Sequence, residues 1–354
     1  MYRKIPYVPA ELQIVDKKPG MFRGPELEIR NTPVTPRANY DAAFDDRHPY
    51  WMPSIRDTNG LSIPLYHDML GRGMGKDVTD AFGVHWVFVP DVGGSMEDPN
   101  VPPLMEDVNE WREKIRIPDI DAWDWEQAAR ESRIDPRYPC YITLINGFWF
   151  ERLLSFMGFM PAAMALIDEE QTDAIKELFS ALTDLGCRVV DKLCTLWPML
   201  DCIEVHDDWG SQMAPFFSMD VAYELFVPYM KRFTDHIHDW GRHTMLHSCG
   251  HTFDRVQCYI DAGFDMWTPQ PMNEIEELYE RWGDKMIFGV FPRETDLASR
   301  SEEEQRAAAR AFAERYCQPG KPALLGVNAI ARMTPAFEEE LYIHSRRLYL
   351  EQDD

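Results

Sequence analysis

Short apolar runs alternate with longer amphipathic stretches over most of the chain. One amphipathic stretch, residues 172–193, repeats apolar side chains at three- and four-residue steps, which predicts a helix with one buried face. Apolar runs separated by such stretches indicate parallel strands joined by helical crossovers. The pattern therefore favours an α/β fold, and a (β/α)8 TIM barrel rather than an open sheet. The predicted strands lie in the runs VHWVFVP, CYITLING, LDCIEVHDD, HTMLHSCG, FDMWTP, KMIFGVF and ALLGVNAI.

Residues 1–60 follow neither the helical nor the strand period and are rich in proline, arginine and aspartate. We expect them to form an N-terminal extension that wraps around the fold, whereas residues 61–354 form a single barrel domain. No glycine-rich phosphate-binding fingerprint follows any of the predicted strands. This argues against the common dinucleotide-binding and P-loop classes.

Acidic residues outnumber basic ones, with 60 Asp and Glu against 36 Lys and Arg and a formal net charge of -24. Such a charge repels phosphate backbones and anionic lipids, so we expect neither nucleic acid nor a membrane as a partner. The beginning of the chain lacks the apolar core of a signal peptide, and the seven cysteines are scattered, as is typical of reduced thiols. We therefore expect a cytoplasmic protein, and a homodimer is one open alternative for its oligomeric state.

Two of the predicted strands carry polar side chains on one face. Because side chains alternate along a strand, Glu204, His206 and Asp208 share a face in the run CIEVHDD, and His247 and Cys249 share a face in the run HTMLHSCG. In a barrel the apolar face packs against the helices, so the polar face is directed to the interior. Barrel enzymes hold their chemistry at the C-terminal ends of the strands, where these residues are expected.

The spacing of His247 and Cys249 allows both side chains to reach one ion, because zinc accepts imidazole and thiolate ligands. A catalytic zinc needs a third protein ligand, and Glu204, His206 and Asp208 are the local candidates. Two alternatives stay open at this point. The histidine and cysteine are either ordinary interior residues or a cysteine–histidine nucleophile pair.

Other predicted strand ends offer groups that suit a small planar substrate. Amide side chains occur at Asn146, Gln270 and Asn328, and indole rings occur at Trp149 and Trp209. Each of these also has an ordinary structural explanation as a loop, cap or core residue. We predict them as substrate-binding residues.

Five further motifs occur together in the second half of the chain. They are the strand end Asp207-Asp208-x-Gly210, the helix with Pro228 and Lys231, the run Leu246-His247-Ser248-Cys249-Gly250, the turn Gly263-x-Asp265 and the strand start Gly283-Asp284-Lys285. In combination they resemble the uroporphyrinogen decarboxylase superfamily, and the similarity spans roughly residues 80–350. The resemblance implies a (β/α)8 barrel with its site at the mouth, in agreement with the expectation from the hydrophobic pattern.

Within that superfamily, the segments FDDRHPYWMPS and GFWFERLLSFMGF resemble the corrinoid-dependent methyltransferase branch. In that branch the H-x-C pair supplies two zinc ligands and a cysteine at a later strand end supplies a third, where this chain has Asn328. The resemblance therefore implies zinc bound by His247 and Cys249, and we predict Glu204 on the acidic strand as the third ligand. His206 and Asp208 are then the catalytic acid or orienting groups.

The activity that this resemblance implies is the transfer of a methyl group from a small aromatic methyl ether to the Co(I) of a corrinoid. The corrinoid is carried by a separate partner protein. The alternatives are methyl transfer from a methylcorrinoid to a thiol or to tetrahydrofolate, a decarboxylation of the uroporphyrinogen type, and a barrel without catalytic activity.

Overall fold

The computed structural model describes residues 3–18, 26–91, 93–330 and 333–351 of the chain. Strands and helices both occur along nearly the whole length of the chain, so the fold contains both α and β structure. The strands of the described residues are β1 (Ile14–Lys18), β2 (Leu27–Arg30), β3 (Asn59–Gly60), β4 (Val78–Thr79), β5 (His85–Val89), β6 (Gly94–Glu97), β7 (Cys140–Leu144), β8 (Leu200–His206), β9 (His243–His247), β10 (Met266–Trp267), β11 (Ile287–Val290) and β12 (Ala323–Leu325).

The α-helices vary from single turns to a 25-residue helix that contains the predicted amphipathic stretch. They are α1 (Pro36–Phe44), α2 (Pro64–Met69), α3 (Trp111–Lys114), α4 (Trp125–Glu131), α5 (Phe150–Met157), α6 (Phe159–Ala165), α7 (Thr172–Leu196), α8 (Met219–Val221), α9 (Val227–Asp239), α10 (Val256–Asp261), α11 (Ile275–Trp282), α12 (Glu302–Tyr316), α13 (Val327–Ile330) and α14 (Pro335–Glu351). Within the part of the chain that the structure describes, none of them combines the length and the hydrophobicity that a membrane span needs.

The chain divides into two compact units. The first contains residues 1–59, 135–139 and 265–354, and the second contains residues 60–134 and 140–264. The predicted division into an extension of residues 1–60 and one barrel over residues 61–354 stays a prediction.

The second unit contains three parallel strands, β7, β8 and β9, that pair in chain order. Helices lie between them along the chain, and the predicted apolar face of α7 is buried from Ile175 to Leu193. Ile203 and Val205 of β8 have no exposed area, whereas the alternate residues Glu204 and His206 are partly exposed. The side chains of β8 therefore alternate as its sequence predicts.

One strand prediction needs correction. The run VHWVFVP was predicted as the first of the parallel strands, but β5 pairs antiparallel with β4 and with β6. The connection from Val89 to Gly94 is too short for the crossover that parallel strands require, and such a short connection joins antiparallel neighbours. Trp86 is the buried anchor of this small sheet, because its indole N–H donates to the Asp80 carboxylate at 3.1 Å.

The first unit contains a second set of parallel strands, in which Phe288 of β11 pairs with Trp267 of β10 and with Ala323 of β12. It also contains the antiparallel hairpin of β1 and β2 and the packed helices α12 and α14. The α/β class with parallel strands and intervening helices is thus confirmed in both units. The closed eight-stranded barrel stays a prediction.

Candidate metal site

Two histidines stand side by side at the C-terminal ends of neighbouring strands. His206 ends β8, His247 ends β9, and the two residues are paired in the parallel register. Their rings stack with centroids 4.4 Å apart and planes at 19°. The strand alternation predicted from the sequence therefore brings both imidazoles to one face, because residues in register on parallel strands point the same way.

A carboxylate completes a group of three ligands. His206, His247 and Asp208 each offer one ligand atom, and these atoms all lie within 4.8 Å of one another. All three residues are partly exposed, so an ion can reach them from solvent. Two imidazoles and one carboxylate form a donor set that suits a catalytic zinc, or another divalent metal such as Fe(II), with coordination positions left for a substrate. The residues present thus fit the metal that the family resemblance implies.

Glu151 orients one of the two histidines. It lies in the first turn of α5, is nearly fully buried, and has its Oε2 atom 3.0 Å from Nδ1 of His206. When Nδ1 carries the proton of this hydrogen bond, Nε2 is the nitrogen that remains for a metal. Metal-binding histidines commonly have such a carboxylate behind them, because it fixes the tautomer and the ring orientation.

Arg72 neutralises the other side of the same carboxylate. Its Nη2 lies 2.7 Å from Oε1 of Glu151, and its Nε and Nη2 donate to Oδ1 of Asn146 at 3.1 Å and 2.9 Å. Burial alone would raise the pKa of Glu151, but the charges of His206 and Arg72 hold it at about 2. Burial alone would lower the pKa of His206, but Glu151 raises it to about 9. Glu151 is therefore a buried carboxylate that stays ionised.

Asp207 fixes the start of the helix that carries Glu151. Its carboxylate is fully buried and accepts the backbone N–H of Glu151 at 2.9 Å, that of Phe150 at 3.4 Å and the indole N–H of Trp209 at 2.9 Å. Burial and the nearby charge of Glu151 raise the pKa of Asp207 to about 7. The acceptor satisfies N–H groups that a helix start leaves without intrahelical partners.

Only one of the three predicted metal ligands, His247, belongs to the group that the structure brings together. The Cys249 Sγ lies 3.2 Å from Nε2 of His247, and burial, reinforced by Asp208, raises the pKa of this thiol well above its usual range. Glu204 accepts a hydrogen bond from the Thr143 hydroxyl at 2.5 Å. The predicted metal roles of Cys249 and Glu204 stay predictions. His206 and Asp208, which were predicted as catalytic groups, are the residues that the structure groups with His247 as possible metal ligands.

The predicted substrate-binding residues lie in different places. Asn146 follows β7, is fully buried and contacts Arg72 within the site. Trp149 and Trp209 have no exposed area, and the indole of Trp149 donates to the Thr183 hydroxyl at 3.1 Å inside the core. The structure therefore does not bring either indole to an exposed surface of the site.

The other two predicted substrate-binding residues belong to the first unit. Gln270 is a partly exposed residue just beyond β10, and Asn328 lies in α13 after the end of β12. Their predicted contact with a substrate stays a prediction. Sequence patterns did not identify Glu151 or Arg72. The position of Glu151, in the first turn of the helix that follows β7, is the signal that could have indicated it.

Comparisons with known proteins support the fold. No family model matches the chain, and no curated protein sequence does. Among solved structures, a methyltransferase from Methanosarcina mazei matches 89% of this chain and 98% of its own, with a TM-score of 0.57 and 16% sequence identity. An endo-beta-1,4-mannanase from Thermotoga petrophila matches 70% of this chain and 69% of its own, with a TM-score of 0.34 and 10% identity. The first of these likenesses shows that the chain shares the fold of the methyltransferase.

Proposed function

We propose that the protein transfers a methyl group from the oxygen of a small aromatic methyl ether to the Co(I) of a corrinoid carried by a partner protein. The observation that carries the proposal is the group of His206, Asp208 and His247, with Glu151 behind it. The shared fold with a solved methyltransferase supports the class of reaction, and the sequence resemblance described above supports the acceptor.

The reaction breaks the bond between the methyl carbon and the ether oxygen. Both electrons of that bond remain on the oxygen, and the methyl carbon forms its new bond with the electron pair of the acceptor. An aryl oxide is a poor leaving group, so the site must stabilise negative charge that develops on the oxygen. A zinc ion held by the three ligands would supply this stabilisation as a Lewis acid.

The protein's own residues prepare the site for this task. Glu151 keeps Nδ1 of His206 hydrogen-bonded and so leaves Nε2 as the nitrogen available to a metal. Asp207 fixes the first turn of α5 and with it the position of Glu151. If the protein works without a metal, His206 offers a second route, since Glu151 raises its pKa to about 9 and a protonated imidazole donates to the leaving oxygen.

The proposal is tested by anaerobic incubation of the purified protein with Co(I) cobalamin and a panel of aryl methyl ethers. We expect the visible spectrum of methylcobalamin to appear together with an equal amount of the phenol. His247→Ala should abolish the activity, and His85→Ala, which changes an exposed histidine, should leave it intact. If no ether reacts, but a thiol demethylates methylcobalamin in the presence of the protein, the reaction is instead methyl transfer to a thiol.

A further inference from the structure

The side-chain amide of Asn146 has an unmatched donor in the wall of the candidate site. Asn146 is fully buried, and its Nδ2 atom has no hydrogen-bond acceptor among the described residues. The backbone φ of Asn146 is 37°, in the left-handed region that asparagine tolerates better than most residues. A buried amide N–H without an acceptor lowers the free energy of unfolding, so the presence of this donor destabilises the fold locally.

The neighbouring Arg72 determines which way the amide faces. Because two guanidinium N–H groups donate to one end of the amide, that end must be the oxygen, and the nitrogen faces the other way. The hydrogen bonds and the ion pair of Arg72 to described residues use its Nε and Nη2. The Arg72 side chain is 25% exposed. The unmatched donor of Asn146 and the partly exposed cation of Arg72 thus lie together.

This donor pair adjoins the metal ligands. A Cβ atom at Gly147 would lie 2.4 Å from the backbone oxygen of His206, so the chain that follows Asn146 packs directly on the end of β8. Arg72 also attracts Asp208, which is one of the three ligands. Glu151 also links the donor pair to the ligands, since its two oxygens contact Arg72 and His206.

We infer that Asn146 and Arg72 bind the leaving oxygen of the methyl donor, so that the substrates are methyl ethers whose product is an oxyanion of the phenolate type. The inference rests on the proposed function and specifies which residues bind the product. Hydrogen-bond donors with positive charge stabilise an oxyanion strongly, and they contribute much less to an amine or a thioether leaving group.

The test uses 4-nitrophenolate as a probe of the product and nitrobenzene as a neutral probe of the same ring size. Both are titrated into the full-length protein, metal-free and zinc-loaded, with binding followed by calorimetry and by the phenolate absorbance. We expect Asn146→Asp and Arg72→Met each to weaken binding of 4-nitrophenolate about tenfold, because each removes a hydrogen bond to a charged oxygen. Binding of nitrobenzene should not change.

Asn146→Asp keeps the size of the side chain and a residue type that accepts a positive φ, so it should fold even if Arg72→Met does not. Asn109→Asp is the matched control, since Asn109 is exposed. If both folded variants bind 4-nitrophenolate as tightly as the wild type, the inference is wrong. If the variants lose the phenolate but no ether methylates Co(I) cobalamin, the donor pair is upheld and the proposed function fails.

Discussion

Glu151 determines the state of its neighbours because one buried carboxylate contacts both a histidine and an arginine. Its two oxygens lie 3.0 Å from Nδ1 of His206 and 2.7 Å from Nη2 of Arg72. Removing its charge would therefore release the orientation of the histidine and leave the guanidinium without its partner. The residue affects the metal site although it is not itself one of the three grouped ligands.

Glu151→Gln should therefore weaken zinc binding about ten- to a hundredfold, as is typical when the group behind a metal-binding histidine is lost. The measurement is competition with a chelator of known affinity. Glu126→Gln is a control that removes an exposed carboxylate paired with Arg130 and should have no effect. Zinc binding that is unchanged in Glu151→Gln would show that His206 does not need this hydrogen bond to bind the ion.

Cys249→Ser distinguishes the two alternative ligand sets. The structure groups Asp208 with the two histidines, and the partly exposed thiol of Cys249 has a raised pKa that disfavours the thiolate. We expect Cys249→Ser to change zinc affinity less than about tenfold, and Asp208→Asn to lower it more than about a hundredfold. Metal analysis after dialysis checks both. A larger loss in Cys249→Ser than in Asp208→Asn would instead favour the set of His247, Cys249 and Glu204.

At the residue scale, the sequence predicts which side chains share a face of a strand. It does not predict contacts between residues that are distant in the chain. Alternation along β8 and the end of β9 predicted that His206, Asp208 and His247 would share a face. Glu151 and Arg72 lie far from them in sequence, and their pairing depends on where a helix start and a loop are placed in space. No period or motif encodes such a placement.

At the scale of elements, α2 contains a buried histidine that should make the fold sensitive to acid. His67 is 8% exposed, and burial lowers its pKa below the ordinary value of 6.5, an effect that Asp68 partly offsets. As the pH falls below 6.5, the unfolded chain binds a proton that the folded state takes up less readily. The free energy of unfolding should therefore decrease as the pH falls through this range.

His67→Gln should reduce that dependence. Urea unfolding at pH values of about 7.5 and about 5.5 compares the wild type, His67→Gln and His85→Gln, in which the exposed His85 is replaced. We expect a smaller loss of stability at the lower pH in His67→Gln than in the other two proteins. An equal loss in all three would mean that His67 does not contribute to the pH dependence.

The elements themselves were predictable to different degrees. The helix α7 follows from a repeat of three and four residues that is sustained over its length, and its apolar face is buried as predicted. The run around β5 has the composition of a strand, but composition does not specify the direction of pairing. The short connection between β5 and β6 specifies that direction, because only antiparallel strands can be joined by so few residues.

At the scale of the molecule, the N-terminal and C-terminal parts of the chain are joined within the first unit. Arg346 of α14 is fully buried, and its guanidinium contacts both carboxylate oxygens of Glu11, from Nε at 2.9 Å and from Nη2 at 3.2 Å. The same guanidinium donates to the backbone oxygens of Tyr50 and Ile5. The contacts that hold the N-terminal segment to α14 are buried hydrogen bonds and an ion pair. A hydrophobic period cannot predict such polar contacts, and residues 1–60 show no such period.

Glu11→Gln should therefore destabilise the protein by about 3–5 kcal/mol, since it leaves the buried charge of Arg346 without a counter-charge. The comparison is Glu302→Gln, which removes an exposed partner of Arg306 in α12 and should cost no more than about 0.5 kcal/mol. Urea unfolding gives both free energies. A loss as small in Glu11→Gln as in Glu302→Gln would mean that the contacts to Tyr50 and Ile5 alone compensate the buried guanidinium, so that the ion pair does not hold the N-terminal segment in place.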